Sequence, residues 1–213
     1  MKKLLAFLMF FVFATPVYAE TYAYKAKTID KIDIVISAGT LNITSGKAKD
    51  IVIDIKPDKF ENALRHAKVD EKGNLQLFFD GEEITGEAVI NIAVPSAKNK
   101  IKINSANAAV NVSGIKGSLN VEAADGKVNV KKFFGDFKIN TAKAEVNAEG
   151  GFKKLAVESG ADAVILVSLR KIPSLYEYSV VGKGNVTLKI PSTFAKARLK
   201  VDKTEFQMAL NIE

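Results

Sequence analysis

Apolar and polar residues alternate in short runs along most of the chain, and the runs recur at a fixed interval. Ile101, Ile103, Val110 and Val112 are apolar, while Lys102, Asn104 and Asn111 between them are polar. Leu119, Val121, Val128 and Val130 repeat the pattern, and so do Phe137, Ile139, Val146 and Ala148. The fourth copy runs from Leu155 to Leu166, with Leu155, Val157, Val164 and Leu166 in the corresponding places. Ile101, Leu119, Phe137 and Leu155 are each 18 residues apart. A period of two is strand periodicity, one face inward and one outward. A short repeat of this kind cannot bury its apolar face alone, so copies stack into a solenoid.

Small residues separate the two strands of each copy: Ser105-Ala106, Ala123-Ala124, Thr141-Ala142 and Ser159-Gly160. They let the backbone turn a corner without overfilling a narrow core. The second strand leads to an apolar residue near glycine, as at Ile115, Phe133-Phe134 and Phe152. One rung is therefore strand, corner, strand, turn. An antiparallel meander or sandwich of short strands is the alternative. The constant spacing favours the solenoid, because hairpins in a sandwich vary in length.

The flanking sequence carries the same writing. Glu20 to Thr28, with alternating Tyr22 and Tyr24, reads as an edge or capping strand, and Ile32–Ile43 matches the cassette. Ile51–Ile55 is a further strand, ended by Pro57. Asp58 with Glu61, and Phe60 with Leu64, predict one short helix over 58–67. Val69–Leu77 reads as strand, turn and strand. Val89–Pro95 before Ile101, and Val186–Pro191 before Leu199, share a strand closed by Pro-Ser, which places them in equivalent turns of one scaffold. One extra residue around Gly182–Gly184 predicts a bulge, and Phe206–Ile212 the strand that closes the stack.

Composition sets this in a compartment. Lys2 and Lys3, the apolar run Leu4–Ala14 and the small-x-small site Val17-Tyr18-Ala19 predict a signal peptide over 1–19. The remaining residues, 20–213, form one all-β, single-domain solenoid, with no linker or shift in composition to divide them. No later segment is apolar enough to span a membrane, and there is no cysteine for a disulfide or lipid anchor. The expected location is exported: periplasmic, or extracellular and envelope-associated, in a bacterium. Without Lys2 and Lys3 the formal charge of +7 falls to +5. Three doublets, Lys131-Lys132, Lys153-Lys154 and Arg170-Lys171, fall near successive turns and predict a basic edge suited to anionic lipid or polymer, or to edge protection. Tryptophan is absent and tyrosine sparse, which argues against an aromatic stacking platform for single-stranded nucleic acid or for sugars.

With these motifs assembled, the chain resembles the bacterial "putative adhesin" or toastrack family, a β-helix-like domain of unknown function. The matching pieces are Ile32–Ile55, Val89–Pro95, the cassettes from Ile101 to Leu166, and Val186–Pro191. The Gly-Ile-Asn tripeptide of related head-domain adhesins is missing. The resemblance implies a non-enzymatic envelope domain, in some cases linked to membrane sensor systems. No functional residues are defined for the family, so none is carried over.

Candidate chemistry is sparse. His66 is the sole histidine, and no partner has metal-ligand spacing, so neither metal nor cofactor is expected. One outward column carries Asn104, Glu122, Asn140 and Glu158, and the next carries Asn42, Asn111, Asn129 and Asn147. Polar residues must alternate with core residues on a half-buried strand, and stacked asparagines give amide ladders. The same columns form the expected binding face. Neighbouring rungs are about 4.8 Å apart, which leaves Glu122 and Glu158 at a separation that a glycosidase pair could use. The expected function is a structural or binding module, adhesin-like or sensor-associated, with an envelope protein or polysaccharide as partner. The alternatives are a polysaccharide lyase or hydrolase on the same scaffold, and a binder of anionic lipid or polymer.

Overall fold

The computed structural model describes residues 20–47, 49–56, 66–79, 88–96, 98–170, 177–190, 200–201 and 208–212. In chain order the strands are β1 (Glu20–Tyr24), β2 (Lys31–Gly46), β3 (Ile51–Lys56), β4 (His66–Val69), β5 (Asn74–Phe79), β6 (Val89–Pro95), β7 (Lys98–Ser113) and β8 (Lys116–Ala123). There follow β9 (Lys127–Thr141), β10 (Glu145–Ser159), β11 (Val164–Leu169), β12 (Glu177–Gly182), β13 (Asn185–Ile190), β14 (Lys200–Val201) and β15 (Met208–Ile212). A 3-10 turn over Ala26–Thr28 is the one helical piece among the described residues.

All strands belong to one open hydrogen-bonded sheet, which bends at the corners into two facing stacks. The first face runs β4, β5, the first half of β2, the first half of β7, β8, the second halves of β9 and β10, β12 and β14. The second runs β1, β3, β6, the second halves of β2 and β7, the first halves of β9 and β10, β11, β13 and β15. From β5 and β6 onward every pairing along both faces is parallel, as a solenoid requires. The antiparallel pairs β1–β3, β3–β6 and β4–β5 are confined to one end of the stack.

The 18-residue repeat is the rung. Ile101 stands opposite Leu119, Leu119 opposite Phe137, and Phe137 opposite Leu155. Inward residues from the two faces meet in a core that is almost fully dry: Ile34, Ile103, Val121 and Ile139 from the first, Leu41, Val110, Val128 and Val130 from the second. On the turn side Phe133, Phe137 and Phe152 pack with ring centroids 5.6–6.0 Å apart. The buried Tyr178 hydroxyl donates to the Phe152 carbonyl at 2.9 Å, which satisfies a polar tip that would otherwise cost stability in the core.

The structure corrects the repeat at its fourth copy. Val146 pairs with Ile165 and Ala148 with Val167, so the corner after Ser159 is one residue longer than the corners before it. A one-residue slip exchanges the two faces of a strand. Ile165 and Val167 are therefore buried, while Val164 is 53% exposed. Gly182–Gly184 is likewise not a bulge within a strand but the corner joining β12 to β13, where Lys183 N–H donates to the Ser159 carbonyl. Of the helix expected over 58–67, residues 58–65 lie outside the described residues. Its end is strand: His66 and Ala67 begin β4, opposite Phe78 and Leu77. Residues 206–207 of the predicted closing strand also lie outside the described residues, and Met208–Ile212 forms β15.

Candidate functional site

Three short hydroxyl side chains at the corners serve the backbone. Ser105 Oγ accepts from Ala108 N–H at 3.2 Å, and Thr141 Oγ1 accepts from Ala144 N–H at 2.9 Å. Ser159 Oγ accepts from Gly184 N–H at 3.3 Å. These hydroxyls are the buried polar side chains of the core. A buried N–H left unpaired costs more than a made bond contributes, so a small residue with an acceptor is favoured at these positions. The smallness was legible in the sequence. The hydrogen-bonding role was missed; at Ser105 and Thr141 its signal was a hydroxyl three residues before the N–H that needs a partner, and at Ser159, which serves Gly184 on the next rung, there was no local signal.

Small corners leave a recess. Ser37, Ala106, Ala124 and Ala142 stack at the exposed edge of the first face, beside Asn104, Glu122 and Asn140. Together they line an open groove of about 520 Å³ that runs along the stack from β2 to β9. The expected column Asn104, Glu122, Asn140, Glu158 is confirmed in register, and its first three members form one wall of this groove. Glu122 is paired with Lys102 at 3.0 Å and Glu158 with Lys138 at 3.0 Å, while Asn140 Nδ2 donates to Glu158 at 3.0 Å. Ser37 Oγ and Asn104 Oδ1 are buried without a hydrogen-bond partner.

The second column is an amide ladder on the other face. Asn129 Nδ2 donates to Asn111 Oδ1, Asn111 Nδ2 to Asn42 Oδ1, and Asn42 Nδ2 to Asn91 Oδ1, at 2.9–3.0 Å. Asn147 continues the register above Asn129. Asn91 was missed, although Ile90-Asn-Ile92 repeats Leu41-Asn-Ile43 in the sequence. These amides are engaged with one another, which makes the column a structural seam first. Lys127 and Glu145 beside it form an exposed pair at 3.0 Å, worth at most about 1 kcal/mol.

The basic doublets do not stack into one column. Lys131 lies opposite Ser113 at the end of a second-face strand, whereas Lys154 lies opposite Asp136 at the start of a first-face strand. Lys132 sits at a left-handed φ of 52°, and Arg170 Nε pairs with Glu149 at 3.0 Å. Lys153 Nζ lies 5.6 Å from the centre of the Phe134 ring, and Lys171 is outside the described residues. A second recess of about 570 Å³ opens on this turn side, around Lys100, Lys116, Phe134 and Lys153.

Among the described residues no group of three His, Cys, Asp or Glu side chains could hold a metal, and no helix is long and apolar enough to cross a membrane.

The geometry defines a two-faced β-solenoid with a polar-walled groove along its corners. No family model and no curated protein matches the chain. Among solved structures it is similar to a "putative cell adhesion protein" from Clostridium sporogenes. That likeness has 16% identity and a TM-score of 0.43, and covers 92% of this chain and 96% of that one. It is similar also to a "putative adhesin" from Parabacteroides distasonis, at 10% identity and a TM-score of 0.26, over 93% and 95% of the two chains. A third, from Parabacteroides merdae, has 14% identity and a TM-score of 0.24 over 92% and 96%. These neighbours bear the adhesin name of the family that the cassettes resemble. At such identities and scores they carry no conclusion about what this chain binds.

Proposed function

We propose that the chain is an exported, non-enzymatic binding module of the bacterial envelope, adhesin-like in kind, which takes an extended partner along the corner groove. The observation that supports this reading is the groove itself. Four rungs place alanine or serine on its floor and Asn104, Glu122 and Asn140 on its wall at the rung spacing, with two buried oxygen atoms beside it short of a hydrogen bond. An elongated polymer or peptide offers polar groups at intervals along such a line. Glu122 and Glu158 are two rungs apart with Asn140 between them, and each carboxylate is held by its own lysine.

Filling the groove tests the reading. Ala124 is exposed, so Ala124→Arg should leave the melting temperature within about 2 °C, as expected for a surface change. Beads carrying the protein should retain material from solubilised bacterial envelope, and beads carrying Ala124→Arg should retain at least five-fold less. Retention equal for the two would remove the groove as the working surface. Turnover of a polysaccharide, abolished by Glu122→Gln, would replace the reading with the enzyme alternative.

A further inference from the structure

The turn-side recess lies at the opposite end of the first-face strands from the corner groove, and its chemistry is different. Its floor is the backbone of Gly117 and Gly135, stacked in register. Glycine is required there, because a Cβ on Gly135 would come within 1.9 Å of the Gly117 carbonyl oxygen. The side chains on either side of the glycines therefore stand as walls above a bare floor. Lys100, Lys116 and Lys153 bring three ammonium groups, Asp30 and Asp136 two carboxylates, and Phe134 a half-buried ring. The ring also holds the Lys153 ammonium at the cleft by a cation–π contact. Among the described residues, no ion pair or side-chain hydrogen bond joins Lys100, Lys116, Asp30 and Asp136, although all four line one cleft of about 570 Å³. The size is that of a small-molecule site.

We infer that this cleft binds an acidic sugar unit of a polysaccharide. Each class of side chain in it has a counterpart on such a ligand. The lysines meet the sugar carboxylate, with charge-assisted hydrogen bonds roughly twice as strong as neutral ones. Asp30 and Asp136 accept from sugar hydroxyls, and the Phe134 ring packs against the apolar C–H face. Simpler ligands leave part of the set unmatched. Inorganic phosphate, largely a dianion near neutral pH, would be set against two carboxylates and would leave the Phe134 ring without an apolar partner. A neutral sugar would leave the cleft's excess of one positive charge, three ammonium groups against two carboxylates, unmatched. The site is separate from the corner groove, so it can fail while the groove reading stands.

The test is titration of the isotope-labelled protein with a linear galacturonic acid tetramer, followed by amide chemical shifts. The controls are the same tetramer with its carboxyls reduced to alcohols, and inorganic phosphate. The uronate should shift Gly117 and Gly135 and their neighbours, and both controls should bind at least ten-fold more weakly. Lys116→Gln and Asp136→Asn, both surface changes, should each weaken uronate binding at least five-fold. Lys138→Gln, on the outer strand surface, should leave it unchanged. Three results would overturn the assignment: equal binding of the reduced tetramer, phosphate binding that tightens in Asp136→Asn, or shifts absent or confined to the corner groove. The second would identify a bare anion patch.

Discussion

The stacking of Gly117 beneath Gly135 makes a quantitative prediction, because another turn glycine provides the control. Gly135 has φ +141° and Gly114 φ +73°, both in the region that side chains avoid. They differ in what lies next to them. A Cβ on Gly135 would meet the Gly117 carbonyl oxygen at 1.9 Å, whereas one on Gly114 would find Ser45 Cβ at 3.6 Å, an ordinary contact. To bring the Gly135 contact to 3.4 Å the two rungs must part by about 1.5 Å. The neighbouring bond from Phe134 N–H to the Ile115 carbonyl is 3.0 Å long and would not survive that movement. Backbone strain of about 1–3 kcal/mol and one broken inter-rung bond at about 1–3 kcal/mol give a cost of about 2–6 kcal/mol for Gly135→Ala. Gly114→Ala carries only the left-handed penalty of about 1–2 kcal/mol. For a domain of this size each kcal/mol lowers the melting temperature by about 2–4 °C. Thermal unfolding followed by circular dichroism should therefore place Gly135→Ala about 4–24 °C below the parent and Gly114→Ala about 2–8 °C below, with Gly135→Ala the larger loss. Equal losses for the two variants would mean that the rungs are not in close contact at this turn, and the bare floor of the cleft would go with them.

Other outcomes follow from single contacts. Thr141→Val keeps shape but removes the acceptor for the buried Ala144 N–H, and should cost about 1–3 kcal/mol in urea unfolding; a loss below 0.5 kcal/mol would mean that the hydroxyl does not hold the corner. Lys132→Gly should stabilise by about 0.5–1 kcal/mol, since φ 52° strains lysine by more than glycine loses in chain entropy; destabilisation would contradict the left-handed turn. Asp70 accepts from the Asn74 backbone N–H and side-chain amide and from Lys72 N–H, which together hold its carboxyl below the usual range. A depressed folded value means that its contribution is present above the unfolded value of about 3.9 and is lost as pH falls through the folded one. Its carboxyl resonance should therefore titrate below that value, and the protection of the Asn74 amide should fall over the same acid range. Titration at or above 3.9 would show that the turn is not closed by Asp70.

What the sequence disclosed and what it hid divide along physical lines. Alternation and the 18-residue period are imposed by a dry core between two faces, so Val110, Val128 and their neighbours announced themselves. The outward columns followed from the same register, and Asn104, Glu122 and Asn140 came together as expected. The corner after Ser159 misled the reading because Val164, Ile165, Leu166 and Val167 are all apolar. A continuous apolar run carries no phase, and only the pairing of Val146 with Ile165 shows which residues face inward. The turn-side cleft was hidden for a different reason. Asp30, Lys100, Lys116, Phe134 and Lys153 are scattered over 124 positions of sequence and meet only because each begins or precedes a first-face strand on successive rungs.

The order of rungs was the least legible feature. β2 is the first complete rung of the chain, yet it is not the end of the stack. On the first face it lies between β5 and β7, and on the second between β6 and β7. The chain therefore lays down β2, passes to its outer side to build β5 and β6, and returns across it to continue with β7. All three rungs bear the same alternation, and Leu41-Asn-Ile43 fits Ile90-Asn-Ile92 as well as it fits Val110-Asn-Val112, so local pattern cannot rank the neighbours. The need to cover an end can. A bare terminal rung offers a row of unpaired N–H and C=O groups to any parallel strand, including a second copy of the chain. Here β3 lies antiparallel on β6, and β1 antiparallel on β3, with β4 antiparallel on β5. A strand of reversed direction cannot continue the parallel register of the rungs, so the solenoid stops there. The step back across β2 is what brings β1 and β3, which flank β2 in sequence, into position to cover that end.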